Sequence, residues 1–471
     1  MTKPNTEIIR LDPVKSFFVH MLTRDILLKE AIFDLIDNCI DGIQRSETSA
    51  KLARKKPYEK YWVKIKLSKD EFVIEDNCGG IPWKCHEYAF RMGRPSGLAI
   101  DEGLKTVGAY GIGMKRAIFK MGTDCKIETH SSDKSYSIHM DSKWIRTEEN
   151  WGLPAVFIKS KKPFGTSIKI SKVYPGIAKQ FMSEQFQNEF RGAVAKHFSF
   201  IIDKGLSVYI NNKLVVPKSL KVIYDLKKNK DSIRPFIYKA NISGVDVFLT
   251  VGFTRPIPSV DEVAEGNDNF KEQYSSEDAG WSVICNDRTV LYCDKTPVTG
   301  WGISGVPQYH TQFIAISGIV VFTSDKAGLL PTTTTKRGID GNSEVYLRVR
   351  DKMIEGMKVF TSYTNQWKSK ELVAQSKECF EKTAILSVEE IKKEVNKIHL
   401  NKTAGVTSGS QFKPILPRPE KKTDKERISF VRAIKDIRIV SKHLFGVPNR
   451  NVSQVGEECF DLIKKEALGN E

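Results

Sequence analysis

The stretch that decides the fold is EAIFDLIDNCIDG, residues 30–42. Four of its polar side chains follow one another at helical spacing and form one stripe: Glu30, Asp34, Asn38 and Asp41. The opposite side is apolar from Ile32 to Ile43, so the sequence predicts an amphipathic helix with one face in a core. A stripe that only faces solvent usually includes Lys or Arg one turn away, but this one stays acidic, apart from an amide, until Arg45. From this stretch alone, an acidic surface and a ligand-facing helix remain alternatives.

A predicted β-hairpin follows at residues 61–75, and its second strand runs directly into Asp76 and the pair Gly79-Gly80. Glycine adopts backbone conformations that other residues avoid, and it lets a flat ligand approach the main chain closely. A carboxylate at this strand end therefore indicates a binding site beside the sheet. The alternative is a β-turn in which Asp76 accepts hydrogen bonds from its own loop.

A glycine-rich loop lies in GLKTVGAYGIGMKRAIFKMG, residues 103–122, where a helical pattern begins directly after the last loop glycine. Gly108, Gly111 and Gly113 form a GxxGxG pattern whose backbone N–H groups are free to point at an anion, and Lys115 adds a positive charge. The glycines are not spaced as in a dinucleotide-binding loop. No GxxxxGK[ST] occurs, which excludes a P-loop kinase.

In combination, the acidic helix, the turn after Asp76 and the glycine loop resemble the GHKL ATPase superfamily. DNA gyrase B subunits, MutL mismatch-repair proteins, the large heat-shock chaperones, histidine kinases and MORC ATPases belong to it. A fourth superfamily element, Gly-Thr before a late strand, corresponds to Gly165-Thr166. The resemblance, closest to MORC-like and bacterial relatives, implies an α+β protein with a two-layer α/β sandwich of the Bergerat type that binds ATP and Mg²⁺.

The resemblance also assigns roles to matching residues. Asn38 corresponds to the amide that ligates Mg²⁺, a hard cation that takes oxygen ligands and keeps several waters. Asp76 corresponds to the carboxylate that accepts the adenine amino group, and Thr166 to the hydroxyl at the adenine end. The other nucleotide-facing residues are Asp41, Gly80, Gly108, Gly111, Gly113 and Lys115.

Catalysis is implied for Asp34, which occupies the position where most relatives carry a glutamate that orients the attacking water. Aspartate is one methylene shorter, and a misplacement of about 1 Å costs roughly 100-fold in rate. Glu30, one turn earlier, is the other candidate. A second departure is Cys78, which stands where the superfamily pattern has its first glycine. Two hypotheses follow: an ATP-hydrolysing switch, and an ATP-binding scaffold that hydrolyses little and recruits protein partners when loaded.

The strand and helix patterns divide the chain into five parts. Residues 1–180 carry the ATP-binding motifs, with a helix predicted at 113–121 and strands at 123–130, 135–140, 155–159 and 166–171. Residues 181–342 form a second α+β domain, similar to the ribosomal-protein-S5-like transducer of such ATPases. The remaining parts are a helical region at 343–400, a basic flexible linker at 401–425 and a C-terminal helical segment at 426–471.

The second domain contains a candidate catalytic lysine. The loop TTTTKR, residues 332–337, is similar to the MORC loop that delivers a lysine to the γ-phosphate, and Lys336 is the candidate, with Arg337 beside it. The alternative is a polar loop with an ordinary solvated lysine.

Charge gives the only indication of a macromolecular partner. The chain has 471 residues and a net charge of +17, and residues 401–445 carry 7 Lys and 4 Arg against 4 acids. Such a stretch either contacts DNA or RNA phosphates or simply stays solvated. Relatives of this layout usually form nucleotide-dependent homodimers, which would clamp or remodel a partner, by analogy in genome maintenance or defence.

Several other classes of protein are not expected. No run approaches the roughly 18 apolar residues of a membrane-spanning helix, and the first residues lack the apolar core of a signal peptide. The eight cysteines contain no CxxC pair, which is typical of reduced thiols in a cytoplasmic protein, or a nuclear one in a eukaryote. Only His20 precedes Asn38, so the phospho-accepting helices of a histidine kinase are not expected.

Overall fold

The computed structural model describes residues 14–91, 93, 101–108, 111–147, 151–159, 163–226, 232–259, 262–263, 276–333, 335–367, 380, 383–403, 405, 408–417 and 428–469. The chain forms two units, Met1–Pro419 and Glu420–Glu471. The first unit contains two large β-sheets, each with helices packed against it.

The first sheet is built from eight strands: β1 (Trp62–Leu67), β2 (Glu71–Asp76), β3 (Gly122–His130), β4 (Ser135–Met140), β5 (Ala155–Phe157), β6 (Gly165–Val173), β7 (Ser207–Ile210) and β8 (Lys213–Leu214). Their order is β5-β4-β3-β6-β2-β1-β7-β8. Neighbours are antiparallel except β1 and β7, which are parallel. The predicted hairpin and the four strands predicted between 123 and 171 are confirmed.

We call the first sheet together with its helices the first layer of the molecule. Its helices are α1 (Lys15–Arg24), α2 (Leu28–Ser46), α3 (Ser49–Leu52), α4 (His86–Phe90), α5 (Gly113–Met121), α6 (Ser142–Arg146), α7 (Pro175–Met182), α8 (Glu184–His197) and α9 (Ser199–Asp203). The apolar side of α2, from Ile32 to Ile43, joins one core with alternate strand residues such as Val63 and Ile65. Every second residue of the strands and the apolar face of α2 therefore pack against each other in one core. The result is a two-layer α/β sandwich, as predicted.

The second sheet is built from β10 (Phe236–Ile242), β11 (Val245–Phe253), β12 (Gly280–Cys285), β13 (Arg288–Asp294), β14 (Ile316–Thr323), β16 (Asn401–Thr403) and β17 (Gly409–Phe412). Their order is β13-β12-β14-β11-β10-β17-β16, and β9 (Lys221–Tyr224) pairs separately with β15 (Ala384–Ser387). Helix α10 (Glu344–Gln366) packs closely on this sheet. We call the second sheet, α10 and the loops that connect them the second layer of the molecule. A Cβ at Gly356 would lie 2.5 Å from Val251 Cγ1, so glycine permits this approach.

The first layer extends beyond the predicted boundary at residue 180. Residues 206–217, which the predicted boundary places in the second domain, contain β7 and β8, and β7 pairs with β1 of the first sheet. Helices α7 and α8 also bury Phe181, Phe186 and Phe190 in the first core. The local sequence pattern of this segment carries no signal for a parallel partner that lies more than 140 residues earlier.

The linker predicted at 401–425 is wrong over its first part. Residues 401–403 and 409–412 form the β16–β17 hairpin, and β17 pairs with β10 at the edge of the second sheet. The polar composition that suggested a linker is what an edge strand tolerates, since one side of it faces solvent. Residues 418–427 lie outside the described part. In the predicted helical region 343–400, the strand β15 appears beside α10 and α11 (Val388–Val395).

The second unit is described from residue 428 and contains α12 (Ile434–Phe445) and α13 (Val452–Leu468). Gly446 ends α12 in the left-handed conformation, with φ 73°. The Ser441 hydroxyl donates to the Val447 carbonyl at 2.7 Å and accepts from the Arg450 N–H at 3.2 Å, which fixes the connection between the two helices. Among the described residues, no helix is long and apolar enough to cross a membrane.

Candidate nucleotide-binding site

A cleft opens between α2, the end of β2, the loop that precedes α5 and the start of β6. All predicted site residues except Glu30 line it; they are Asp34, Asn38, Asp41, Asp76, Gly80, Gly108, Gly111, Gly113, Lys115, Thr166 and Lys336. Lys336 comes from the second layer of the first unit, so the fold brings together residues that are about 300 positions apart in the chain. Asn38 is the exposed member of the α2 stripe and faces the open cleft.

Glu30 lies outside the cleft lining and has a structural role. Its carboxylate accepts the Leu27 N–H at 3.3 Å and so satisfies one unpaired backbone donor at the start of α2. It also pairs with Arg337 Nη1 at 3.3 Å, which connects α2 to the second layer. The contacts of Glu30 therefore favour anchoring of the helix over contact with a ligand.

The Asp76 carboxylate closes one end of the cleft. Its Oδ1 accepts the Cys78 N–H at 2.7 Å, and its Oδ2 accepts the Cys39 S–H at 3.4 Å. Burial raises the pKa of the Asp76 carboxyl to about 6. The turn expected as the alternative is therefore present, and the same carboxylate also faces the cleft.

Two glycines allow backbone segments to approach one another closely at this end of the cleft. Gly80 has φ 70°, and a Cβ there would lie 2.1 Å from the His130 carbonyl oxygen. A Cβ at Gly165 would lie only 1.9 Å from the Asp76 carbonyl oxygen. Cys78, in contrast, is absent from the residues with positive φ. The cysteine at the first glycine position is therefore compatible with the turn, because the left-handed residues are Gly79 and Gly80.

Thr166 and the neighbouring Thr129 shape the same end of the cleft. Their hydroxyl oxygens are 3.1 Å apart, and Thr129 Oγ1 also accepts the Ile81 N–H at 2.7 Å. Thr129 lies on β3, whereas Ile81 lines the cleft. The sequence analysis missed Thr129, since a threonine inside a strand carries no signal beyond strand propensity.

The glycine loop is held in place by Asp41. Its two carboxylate oxygens accept the N–H groups of Val107 and Gly108, at 2.7 and 2.9 Å. Gly111 then adopts φ 69°, and Gly113 opens α5. Asp41, which the resemblance places beside the nucleotide, lines the cleft, and its hydrogen bonds also make it the residue that fixes the start of the loop.

Lys115 reaches the same region from the first turn of α5. Its ammonium donates to the Ala89 carbonyl at 2.8 Å, and it lines the cleft together with the loop glycines. The lysine and the loop glycines thus lie along the same cleft, and a positive charge there suits a phosphate chain.

Asp34 lies where α2 meets the start of α5. Its Oδ2 accepts from Arg116, at 2.5 Å from Nη2 and 3.2 Å from Nε, whereas Lys336 Nζ lies 4.0 Å from Oδ1. Burial raises the pKa of the Asp34 carboxyl, and the charges of Lys336 and Arg116 oppose that shift. A Cβ at Gly113 would lie 3.0 Å from Asp34 Cγ, so the last loop glycine leaves room for this carboxylate.

Asp37 is a site residue that the sequence analysis missed. It is 1% exposed, and its two oxygens pair with cations from the second layer: Oδ1 with Arg288 Nε at 2.9 Å, and Oδ2 with Lys336 Nζ at 3.0 Å. The sequence offered one indication of this role: Asp37 directly follows Ile36 on the apolar side of the helix, and a carboxylate buried there requires a partner. Which partner it takes depends on the tertiary fold.

Arg288 follows a two-residue hairpin turn that reaches the first layer. Asn286 and Asp287, with φ 45° and 68°, connect β12 to β13. The Asn286 amide donates to the Thr106 carbonyl at 2.9 Å, directly before the glycine loop, and Asp287 accepts from Tyr58 Oη at 2.9 Å. The turn therefore connects the second sheet to Thr106 and to Tyr58, and Arg288 directly after it reaches Asp37 on α2.

The side chains in the cleft could hold a magnesium ion through a single protein ligand, Asn38. Among the described residues, no group of three or more His, Cys, Asp or Glu side chains could hold a metal by itself. Asn38 offers an amide oxygen in the cleft, whereas Asp34, Asp37 and Asp41 already have partners. This fits Mg²⁺, which commonly uses one or two protein ligands and takes the rest from phosphates and water.

Comparison with known proteins agrees with the geometry of the first layer. Residues 26–171 match the family model described as histidine kinase-, DNA gyrase B-, and HSP90-like ATPase. The match begins just before α2 and ends in β6, so it covers the elements that line the cleft on the first layer. It supports assignment of this segment to the GHKL superfamily as an ATPase domain. No curated protein matches the chain.

Proposed function

We propose that this protein is an ATP-binding, magnesium-dependent ATPase that acts as a nucleotide-driven switch. The carrying observation is that one cleft unites an acid at a strand end, an exposed asparagine on α2, a glycine loop and a lysine from the second layer. In this assignment the adenine amino group donates to Asp76, and Thr166 supports the same end. The phosphate chain runs along the glycine loop and Lys115 toward Lys336.

Asn38 is the protein ligand that we assign to Mg²⁺. When bound, the ion neutralises charge on the phosphates during transfer to water. Asn38 holds its amide oxygen toward the cleft from the middle of α2, while the acids on either side are engaged with Arg116 and with the loop N–H groups. The helix thus presents a neutral ligand that does not repel the phosphates.

Hydrolysis is assigned to Asp34. Arg116 holds Oδ2, so Oδ1 is the oxygen that remains to orient a water molecule. Lys336 lies 4.0 Å from that oxygen, close enough to act on the terminal phosphate beside it. Phosphoryl transfer depends mainly on positioning and on stabilisation of charge, and these residues supply both.

The finer parts of the proposal concern partners. A MORC-like ATPase of this layout would form an ATP-dependent homodimer and clamp a partner, and the charge of +17 is suited to DNA or RNA. A second candidate function is an ATP-loaded scaffold with little hydrolysis. It is favoured by the short Asp34 side chain, whose burial and ion pair with Arg116 restrict its movement toward a water molecule.

The magnesium assignment is tested with Asn38→Ala. We expect Mg²⁺-dependent phosphate release to be abolished while the melting temperature stays within a few degrees, because Asn38 is exposed and its loss leaves no cavity. Asn188→Ala, an equally exposed asparagine on α8, is the matched control and should behave as wild type. Wild-type turnover in Asn38→Ala would contradict the role assigned to this residue.

The adenine assignment predicts a pH-dependent choice of base. The ionised Asp76 accepts from the adenine amino group and repels the guanine carbonyl, so ATP is preferred above the Asp76 pKa of about 6. As the pH falls through this value the carboxyl is protonated, and the ATP:GTP affinity ratio should fall roughly tenfold between pH 7.5 and 5. The ratio is the quantity to measure, by calorimetry, since the triphosphate titrates identically in both ligands. A constant ratio would contradict the contact.

A further inference from the structure

Asp37 connects α2 to two separate parts of the second layer. One oxygen pairs with Arg288, which follows the β12–β13 turn, and the other pairs with Lys336, from the loop after β14. All three side chains are buried, at 1% exposure for Asp37, 1% for Arg288 and 7% for Lys336. A single carboxylate therefore neutralises two buried cations beside the cleft.

The two cations differ in how firmly they are held. Arg288 Nη1 also donates to the carbonyls of His197 and Thr289, at 2.6 and 2.9 Å, and its guanidinium lies 4.0 Å from the Phe198 ring. Lys336, in contrast, is bound at its Nζ by Asp37 and lies near Asp34, while it also lines the cleft. Arg288 is thus fixed by four groups, whereas Lys336 has a flexible side chain beside an open space.

The backbone at Lys336 is unusual as well. Its φ is 55°, a left-handed conformation that residues with a Cβ seldom adopt, and its N–H donates to the Thr333 carbonyl at 2.9 Å. An antiparallel β-bridge between Thr332 and Ile339 joins the two ends of the loop. The loop therefore fixes the Cα of Lys336 in an unfavourable conformation that directs its side chain at α2, a feature that is often found at functional sites.

We propose that Asp37 is a positioning residue that holds Lys336 in the absence of nucleotide and exchanges it with the terminal phosphate of ATP. This inference rests on the proposed function, in which Lys336 contacts that phosphate. The exchange leaves no buried carboxylate without a partner, because Arg288 still neutralises Asp37 after Lys336 has moved. It also removes one of the links between α2 and the second layer, so arrival of the γ-phosphate changes how the two layers are joined.

The consequence is a competition that can be measured. ATP must displace Asp37 from Lys336, whereas ADP leaves the pair intact. Removal of the Asp37 charge should therefore strengthen binding of a non-hydrolysable ATP analogue relative to ADP. In the full chain with Mg²⁺, we expect Asp37→Asn to raise this affinity ratio roughly threefold or more, and Lys336→Ala to lower it by a similar factor. In the Lys336→Ala background, Asp37→Asn should leave the ratio unchanged.

The outcomes separate the inference from the proposed function. A ratio that falls in Lys336→Ala but does not rise in Asp37→Asn overturns the exchange and leaves the Lys336 contact standing. A ratio that is insensitive to Lys336→Ala contradicts the proposed contact itself. If Asp37→Asn unfolds because Arg288 loses its counter-charge, the double variant Asp37→Asn with Arg288→Gln, in which both side chains are neutral, is measured in its place. It must show the same rise in the affinity ratio, and an unchanged ratio in the double variant overturns the exchange equally.

Discussion

Asp34→Asn is expected to lower Mg²⁺-dependent phosphate release by about 100- to 10,000-fold, the usual effect of losing a well-placed general base. Binding of ATP should persist, because the adenine contacts and the glycine loop lie elsewhere in the cleft. The variant should also fold, since the amide oxygen of asparagine can still accept from Arg116 at the position of Oδ2. Phosphate release and calorimetric ATP affinity, measured on the same sample, check both parts.

Glu30→Gln is the matched control for this experiment. It makes the same chemical change one turn earlier on α2, outside the cleft lining, and should reduce turnover only mildly through the loss of charge opposite Arg337. The reverse result, a severe loss in Glu30→Gln with normal turnover in Asp34→Asn, would transfer the role of base to Glu30. If the wild type releases no phosphate at all, with or without DNA, the scaffold hypothesis replaces the enzyme.

Local patterns predicted the parts of the fold that depend on short sequence distances. The helix at 113–121 and the hairpin at 61–75 follow from spacing and turn residues alone, and the structure has them with nearly the same bounds. The resemblance to a superfamily added what spacing could not supply, namely that these elements meet around one cleft. Apart from Lys336 and the second domain, these contributions concern residues 26–171, the segment that the family model matches.

Contacts between distant segments were not predictable in the same way. No feature near Arg288 indicates that it neutralises Asp37, because the pair forms only when the β12–β13 turn of the second sheet reaches α2. The sequence does not predict the parallel pairing of β7 with β1 or the pairing of β17 with β10, for the same reason. In each case a tertiary partner decides the structure of a segment whose composition fits several outcomes.

The acidic stripe on α2 was interpreted as a surface facing the nucleotide, and the structure divides it into separate tasks. Asp34 pairs with Arg116, and Asp41 holds the glycine loop, so both acids are buried and partnered. Asn38 alone is exposed toward the cleft. The absence of basic residues on the stripe, which distinguished it from a solvated helix, therefore arises because its cations come from α5 and from the second layer.

Asp76→Asn is expected to weaken ATP binding by about 1.5–3 kcal/mol, roughly ten- to a hundredfold, since a charge-assisted hydrogen bond is lost. The asparagine oxygen can keep the Cys78 N–H, which leaves its NH₂ group toward the cleft. There it meets the adenine amino group, so two donors face each other where a donor and a carboxylate had been paired. The same NH₂ group can donate to the guanine carbonyl, so the preference for ATP over GTP should diminish or reverse.

Glu75→Gln is the control for this substitution. It makes the identical change at the preceding residue, whose side chain is exposed and lies outside the cleft lining, and it should leave both affinities unchanged. Cys39→Ser tests the local hydrogen bonds separately, since serine can still donate to Asp76 Oδ2. A folded Asp76→Asn protein with wild-type ATP affinity and unaltered base preference would remove Asp76 from the binding site, because a carboxylate that faces the adenine amino group cannot become an amide without a change in that contact.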